Sequence, residues 1–267
     1  MAHPADRRSR IAAAFGRADR YARAADAQAR AAELLATRIG AAGMAADSRI
    51  LELGCGTGFL TRALARRFPR ARWVVSDLSA EMVERARHDA GIAAAEWLVM
   101  DGEAVDPGLG RFDLIASGMA FQWFDDLPGA VERLTGRLTA SGMLAFSTMA
   151  ADSFPEWRAA IAAEGLPSGM PAYPDAAALA ALAPAGFAAD VLIADVVQPE
   201  ADARGFLRRL KAIGAGTPVG GYRPLDAARL RRAMARFDAG ERQITYRIGL
   251  CLIRRARSGD DRGRPSP

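Results

Sequence analysis

The chain has 267 residues, just over half of them apolar and a quarter charged, enough for one large domain with a substantial core and without the composition of a disordered protein. The formal charge of +5 is almost wholly arginine, with Lys211 the only lysine, and the arginines are spread over several predicted helices without interleaved aromatics, which argues against a nucleic-acid partner and suits an acidic protein equally well. No run approaches the ~20 apolar residues that span a membrane and the N-terminus lacks an apolar signal core, so no membrane partner and a cytoplasmic location are predicted, with Cys55 and Cys251 as reduced thiols without metal-ligand spacing.

In chain order, residues 1–9 are polar and are expected to be disordered. An alanine-rich helical stretch over 10–39, with Ile11, Phe15, Leu34, Leu35 and Ile39 at roughly helical spacing, forms an N-terminal helical cap (10–46). A nucleotide-binding core follows (47–199). Strands are predicted at Arg49–Leu53, Trp73–Asp77, Trp97–Met100, Phe112–Ser117 and Met143–Met149, alternating with helices at Thr57–Arg67, Ala80–Asp89 and Pro128–Leu138. That rhythm predicts a mostly parallel sheet with helices on both faces.

Short helices at Phe154–Ala163 and Ala176–Leu182 precede a strand at Phe187–Val197. The alternation then breaks. Helices at Glu200–Ile213 and Leu225–Phe237 form an expected lid (200–240) ahead of the last strand, Gln243–Ile253, within 241–255. Two late strands separated by a helical pair predict an antiparallel edge bearing that lid. Residues 10–255 are read as a single domain and 256–267 as a disordered tail.

The most informative stretch is Ile50 to Gly58, an apolar strand ending in Glu52 that runs into Gly54, Gly56 and Gly58 and then a helix. Glycines let the backbone turn sharply and approach a ligand closely, and the helix N-terminus adds N–H donors. A dinucleotide fingerprint reads G-x-G-x-x-G, but here the third glycine comes one residue early and Phe59 takes its expected place. Glu52 suits an ammonium group and would repel a pyrophosphate. This pattern points to S-adenosylmethionine.

Asp77 closes the second strand roughly 20 residues beyond the loop, where it can accept hydrogen bonds from ribose hydroxyls; the alternative is a helix-capping role, which Ser79 could fill instead. Asp101, at the end of the third strand, can accept the adenine amino group. Leu78, Gly102 and Ser117 complete the expected cofactor-binding set along this edge. Gln122 and Trp123, after the fourth strand, lie where open α/β sheets bind ligands and either shape the substrate pocket or pack.

Histidine is almost absent, with only His3 and His88, so a histidine base is not expected. Methyl transfer to a carboxylate needs none, since the acceptor is already an anion and positioning supplies much of the rate; no catalytic side chain and no metal are assigned. An anionic acceptor does need a clamp. Arg158, Lys211 and Arg223 are the candidates, each with a solvated surface charge as the alternative.

The core resembles class I S-adenosylmethionine-dependent methyltransferases through Glu52-Leu-Gly-Cys-Gly-Thr-Gly58, Asp77 and Asp101. Beyond it, Ala12-Ala-Ala-Phe-Gly-Arg-Ala18 with Tyr21 and Gln28, Ala120-Phe-Gln-Trp123, Ser153-Phe-Pro-Glu156, Leu207 to Ala215 and Ile244-Thr-Tyr246 are similar to the malonyl-acyl carrier protein O-methyltransferases of biotin synthesis. The resemblance implies methylation of the free carboxylate of a malonyl thioester, on acyl carrier protein or coenzyme A, giving the methyl ester that primes pimeloyl synthesis. It implies that Tyr21 helps close the cofactor site. It also implies docking of the acidic carrier protein on a basic face, drawn from Arg204, Arg208 and Arg209 or from Arg229, Arg231, Arg232 and Arg236. Alternatives within the fold are another small-acid carboxyl methyltransferase, a protein-arginine-modifying assembly factor of respiratory complex I, and a non-catalytic cofactor-binding scaffold.

Overall fold

The computed structural model describes residues 25–92, 94–167, 169–212 and 226–256. Its elements run α1 (Ala25–Ala41), β1 (Arg49–Leu53), α2 (Phe59–Arg67), β2 (Arg72–Asp77), α3 (Ala80–Asp89), β3 (Ala95–Val99), β4 (Phe112–Gly118), α4 (Leu127–Thr135) and β5 (Leu138–Met149). After these come α5 (Pro155–Ala162), α6 (Ala176–Ala180), β6 (Phe187–Pro199), α7 (Ala203–Ala212), α8 (Ala227–Ala239) and β7 (Gln243–Arg255).

The strands form one seven-stranded sheet in the order β3-β2-β1-β4-β5-β7-β6. The first four pairings are parallel, while β7 is antiparallel to both β5 and β6. This is the Rossmann-like α/β architecture expected, including the antiparallel edge and the helical pair between β6 and β7. The strand order reverses between β1 and β4, and a crevice opens there at the strands' carboxyl ends.

Central strands are apolar because both faces are covered. On β1, Ile50 joins one buried cluster and Leu51 and Leu53 the other, and on β4 Leu114 and Ala116 alternate in the same way with Ile115. The first cluster receives α1 through Leu35 and Ile39 and α2 through Leu64, together with the lid helices; the second receives α4 through Val131 and Leu134. Alanine makes α1 thin enough to lie close to α2: Ala31 and Ala36 are wholly buried.

Two boundaries differ instructively from expectation. Helix α4 stops at Thr135, where Gly136 donates back to Glu132 and Leu134, so Leu138 starts β5 rather than ending the helix. The ladder there is irregular between Phe112 and Leu114, which lets the Leu138 end of β5 pair ahead of the regular register. Strand β3 begins at Ala95, two residues early, because Ala95 and Glu96 pair with Trp73 and Val74 of β2. The portion of the N-terminal helical stretch before residue 25 lies outside the described residues.

Candidate active site

The turn after β1 is built around three left-handed glycines, Gly54, Gly56 and Gly58. Gly54 has φ 68°, and a Cβ there would lie 2.6 Å from the Cβ of Ala120. Gly56 has φ 53° with nothing near its missing side chain, and its N–H donates to Asp77 Oδ2 at 2.9 Å. The other oxygen of Asp77 accepts from the Ser79 N–H at 2.8 Å, while the Ser79 hydroxyl accepts from Met82 N and caps α3. Ser79 therefore takes the capping role, and Asp77 spans the β1 and β2 turns. A carboxylate has about four acceptor positions, so these two bonds leave others for a ligand.

A cleft of about 1150 Å³, counting its open mouth, lies over these turns. Among the described residues its lining includes Glu52, Asp77, Asp101 and Glu103 but no arginine, lysine or histidine. Such a site attracts a cationic ligand and repels a pyrophosphate.

Glu52 is wholly buried, and neither carboxylate oxygen has a hydrogen-bond partner. Burial pushes its pKa up to about 8, and Asp77 pushes the same way. Nearby Thr61 and the charge of Arg62 temper the rise without supplying a bond of proper geometry. An unpartnered buried carboxylate is costly unless a ligand completes it. Burial also raises the pKa of Asp77, opposed by the N–H groups of Ser79, Gly56 and Leu78. Cys55 is buried, and both burial and the flanking Glu52 and Asp77 push its thiol far up, so it fills the loop as a neutral side chain.

Eight of the expected residues meet in this cleft: Glu52, Gly54, Gly56, Asp77, Leu78, Asp101, Gly102 and Trp123. Four described ones do not line it. Gly58, at φ 80°, starts α2 and donates to Cys55 O. The hydroxyl of Ser117 is buried and donates to Leu53 O, tying β4 to β1. The side-chain oxygen of Gln122 accepts from Thr148 at 3.3 Å, so this residue braces the 3₁₀ turn Phe121–Trp123 against β5. Arg158 lies on α5, also outside the cleft lining, with its Nε donating to Ser153 O at 2.7 Å. Tyr21 and Arg223 lie outside the described residues, and for Lys211 only its backbone position in α7 is described.

Other lining residues went unassigned from the sequence. Gln28 reaches the cleft from α1, and its place in the N-terminal motif was a usable signal. Glu103 accepts from the backbone N–H groups of Asp125 and Asp126, holding the segment with Trp123 and Phe124 over the cleft. Met119 is a non-glycine residue at φ 56°, secured by its N–H bonds to Ser147 O and Oγ. Nothing in local sequence announces these last two roles.

A methyltransferase-domain family model matches residues 50–142, which hold the glycine turn, Asp77 and Asp101. Among solved structures, the YcgJ protein of Bacillus subtilis shares the fold at TM-score 0.56, with 17% identity and 84% of this chain and 98% of that chain covered. The biotin biosynthesis bifunctional protein BioCD of Bordetella avium is 42% identical over 92% of this chain, which spans only 53% of that longer protein. The malonyl-acyl-carrier protein O-methyltransferase of Magnetococcus marinus is 39% identical over 96% of both chains. An identity of that level running from the N-terminal segment through the lid to the last strand, and not only through the nucleotide core, shows that the chain belongs to the malonyl-acyl-carrier protein O-methyltransferase family.

Proposed function

We propose that this protein transfers a methyl group from S-adenosylmethionine to the free carboxylate of a malonyl thioester carried on acyl carrier protein. The observation that carries the reading is the buried, unpartnered carboxylate of Glu52 beside the glycine turn, in a cleft lined by four acidic residues. When bound, S-adenosylmethionine supplies an electrophilic methyl group on a cationic sulfur. Glu52 is assigned to its ammonium, Asp77 to the ribose hydroxyls and Asp101 to the adenine amino group. Leu78, Gly102, Met100 and Phe124 are assigned to the walls of the base site, with Gln28 and Tyr21 closing the cleft from the N-terminal side.

The chain's own residues then have a restricted task. A malonyl carboxylate is ionised at neutral pH, so no proton has to be removed before a C–O bond forms and the C–S bond breaks. Acidic lining orients the cationic donor, and Trp123 and Met119 narrow the cleft where the acceptor must arrive. Holding the two reactants in line converts an encounter into an intramolecular event, which is where a site without a catalytic base obtains its rate. The product is a neutral methyl ester, in which the charge that marks malonyl as malonyl is masked; as in the resemblance, such an ester primes pimeloyl synthesis for biotin.

For the carrier protein, packing favours one of the two basic faces. Arg209 is committed to Glu200 at 2.8 Å, and Arg232 and Arg236 are both committed to Glu164 at 2.7 Å. Arg204 and Arg208 lie one turn apart on α7, exposed and without an ion-pair partner among the described residues. That face is assigned to the acidic partner.

The test is mass spectrometry of malonyl-acyl carrier protein incubated with the protein and S-adenosylmethionine, with acetyl-acyl carrier protein as control. A one-methyl gain on malonyl alone is expected; no gain while calorimetry shows cofactor binding would sink the reading.

A further inference from the structure

The donor cleft is a poor receptacle for the other reactant. Among the described residues its lining has four carboxylates and no cationic side chain, which disfavours an acceptor's carboxylate there and directs the search to groups beside it. The sheet topology indicates where. Strand β7 runs antiparallel to β5 with Ile248 opposite Met149, so Tyr246 lies just past the end of β5, on the carboxyl edge that also carries the glycine turn and Met119.

Two sequence segments that the nucleotide site leaves unexplained, Ser153 to Glu156 and Ile244 to Tyr246, are bonded to each other at this edge. Glu156 accepts from the Thr245 N–H at 3.1 Å and from its hydroxyl at 2.5 Å, and Phe154 N donates to Thr245 O at 2.8 Å. Asp152 and Phe154 both adopt left-handed conformations, at φ 61° and 64°, a strain of about 1–3 kcal/mol each that persists only where surroundings over-determine it. Those surroundings are the Ser153 hydroxyl, donating to Ala150 O and accepting from Arg247 N, and the edge-on contact of Phe154 with the Tyr246 ring at 5.1 Å.

This rigid corner aims α5, and with it Arg158. Nε of Arg158 is fixed on Ser153 O. Its guanidinium has no carboxylate partner among the described residues, whereas Arg209 is taken by Glu200 and Arg247 by Asp152 and Asp195. The same corner gathers three side chains: Arg158 N donates to Phe154 O at 2.9 Å, the Phe154 ring meets Tyr246, and Ala151 N donates to Pro174 O at 2.9 Å, which brings the neighbouring Tyr173 to the corner, where the charge of Arg158 opposes the rise that burial imposes on the Tyr173 phenol. The Tyr246 ring is buried, yet its hydroxyl has no hydrogen-bond partner among the described residues.

We infer that Arg158, with the hydroxyls of Tyr173 and Tyr246, receives the free carboxylate of the malonyl thioester and positions it for methylation. This rests on the carboxyl-methylation reading above. Binding one carboxylate oxygen leaves the other as nucleophile; as the C–O bond forms and the C–S bond breaks, the negative charge on the acceptor and the positive charge on sulfur vanish together and no proton moves. The neutral ester no longer engages Arg158, so the same group that selects substrate lets product go.

The experiment compares wild type, Arg158→Gln, Arg158→Lys and Tyr246→Phe with malonyl-acyl carrier protein, and measures inhibition by its methyl ester and S-adenosylmethionine affinity by calorimetry. Loss of a charge-assisted bond predicts that Arg158→Gln raises KM or lowers kcat/KM by about ten- to a hundredfold, with a partial recovery in Arg158→Lys, and that Tyr246→Phe costs about fivefold to tenfold. The inhibition constant of the methyl ester and the cofactor affinity stay unchanged, which a collapsed corner would not allow. Wild-type kinetics in both Arg158→Gln and Tyr246→Phe, or an equal weakening of ester and malonyl binding, would overturn the inference. Wild type inert on malonyl-acyl carrier protein would instead overturn the functional reading, and the inference with it.

Discussion

Glu52 shows how one residue trades stability for binding. In the folded protein it titrates near 8, against an ordinary 4.5, so between those values the native chain keeps a proton that the unfolded chain has released. Stability of the unliganded protein therefore falls as pH rises through this window, the reverse of a salt-bridged carboxylate. A cation entering the cleft favours the ionised form, so binding at pH 7 expels a proton. Calorimetry of S-adenosylmethionine binding in buffers of different ionisation heat should detect that release in wild type and not in Glu52→Gln. The same variant should melt several degrees higher than wild type at pH 8 without ligand, while binding cofactor at least about tenfold more weakly. A Glu52→Gln protein that binds normally would remove Glu52 from the site.

At the scale of elements, the site depends on turns rather than on helix or strand interiors. The β1–α2 turn exists because Gly54 adopts a left-handed conformation in contact with Ala120, at the start of the 3₁₀ turn that follows β4. Gly54→Ala meets both obstacles, a 2.6 Å overlap and an unfavourable φ. We expect a loss of about 2–3 kcal/mol in thermal or denaturant unfolding, and abolished cofactor binding, because the turn cannot relax without moving the Ala120 to Phe124 segment that roofs the cleft. The lid is organised similarly by end contacts: α8 is anchored through Arg232 and Arg236 on Glu164, just beyond the end of α5, and its inner face packs Phe237 against Phe206 and Trp157. Aromatic packing gives the lid its cohesion, while the arginine pairs set which charges remain available.

For the whole molecule, charge is divided by location. The donor cleft is acidic, whereas the outward face of α7 presents Arg204 and Arg208 above a buried inner face of Ala203, Phe206 and Leu210. A carrier protein docking there would be steered by long-range attraction rather than held by buried pairs. Reversing both charges, Arg204→Glu with Arg208→Glu, should raise KM for malonyl-acyl carrier protein about tenfold at low salt and progressively less as salt is added, with cofactor affinity unchanged. A salt-independent KM equal to wild type would place the docking face elsewhere. Among the described residues no helix is long and apolar enough to cross a membrane.

Local sequence by itself determined the alternation of strands and helices, the three-glycine turn and the acidic strand ends, because parallel strands buried on both faces must be apolar and close backbone approach demands glycine. It placed Glu52, Asp77 and Asp101 at one edge, since each lies at or just beyond the carboxyl end of a strand of the same parallel sheet. What only the tertiary structure decided was which side chains face the cleft and which charges stay available. Ser117 and Gln122 occupy the right strand end, yet their hydrogen bonds to Leu53 and Thr148 turn them into braces. Arg209, Arg232 and Arg236 looked equivalent to Arg204 and Arg208 until packing gave them carboxylate partners. Glu156 meets Thr245 only because β7 returns antiparallel beside β5. Pairings of that kind join residues as far as 212 positions apart, and no local pattern encodes them, because side-chain partners are chosen by the packing of distant elements and not by neighbours along the chain.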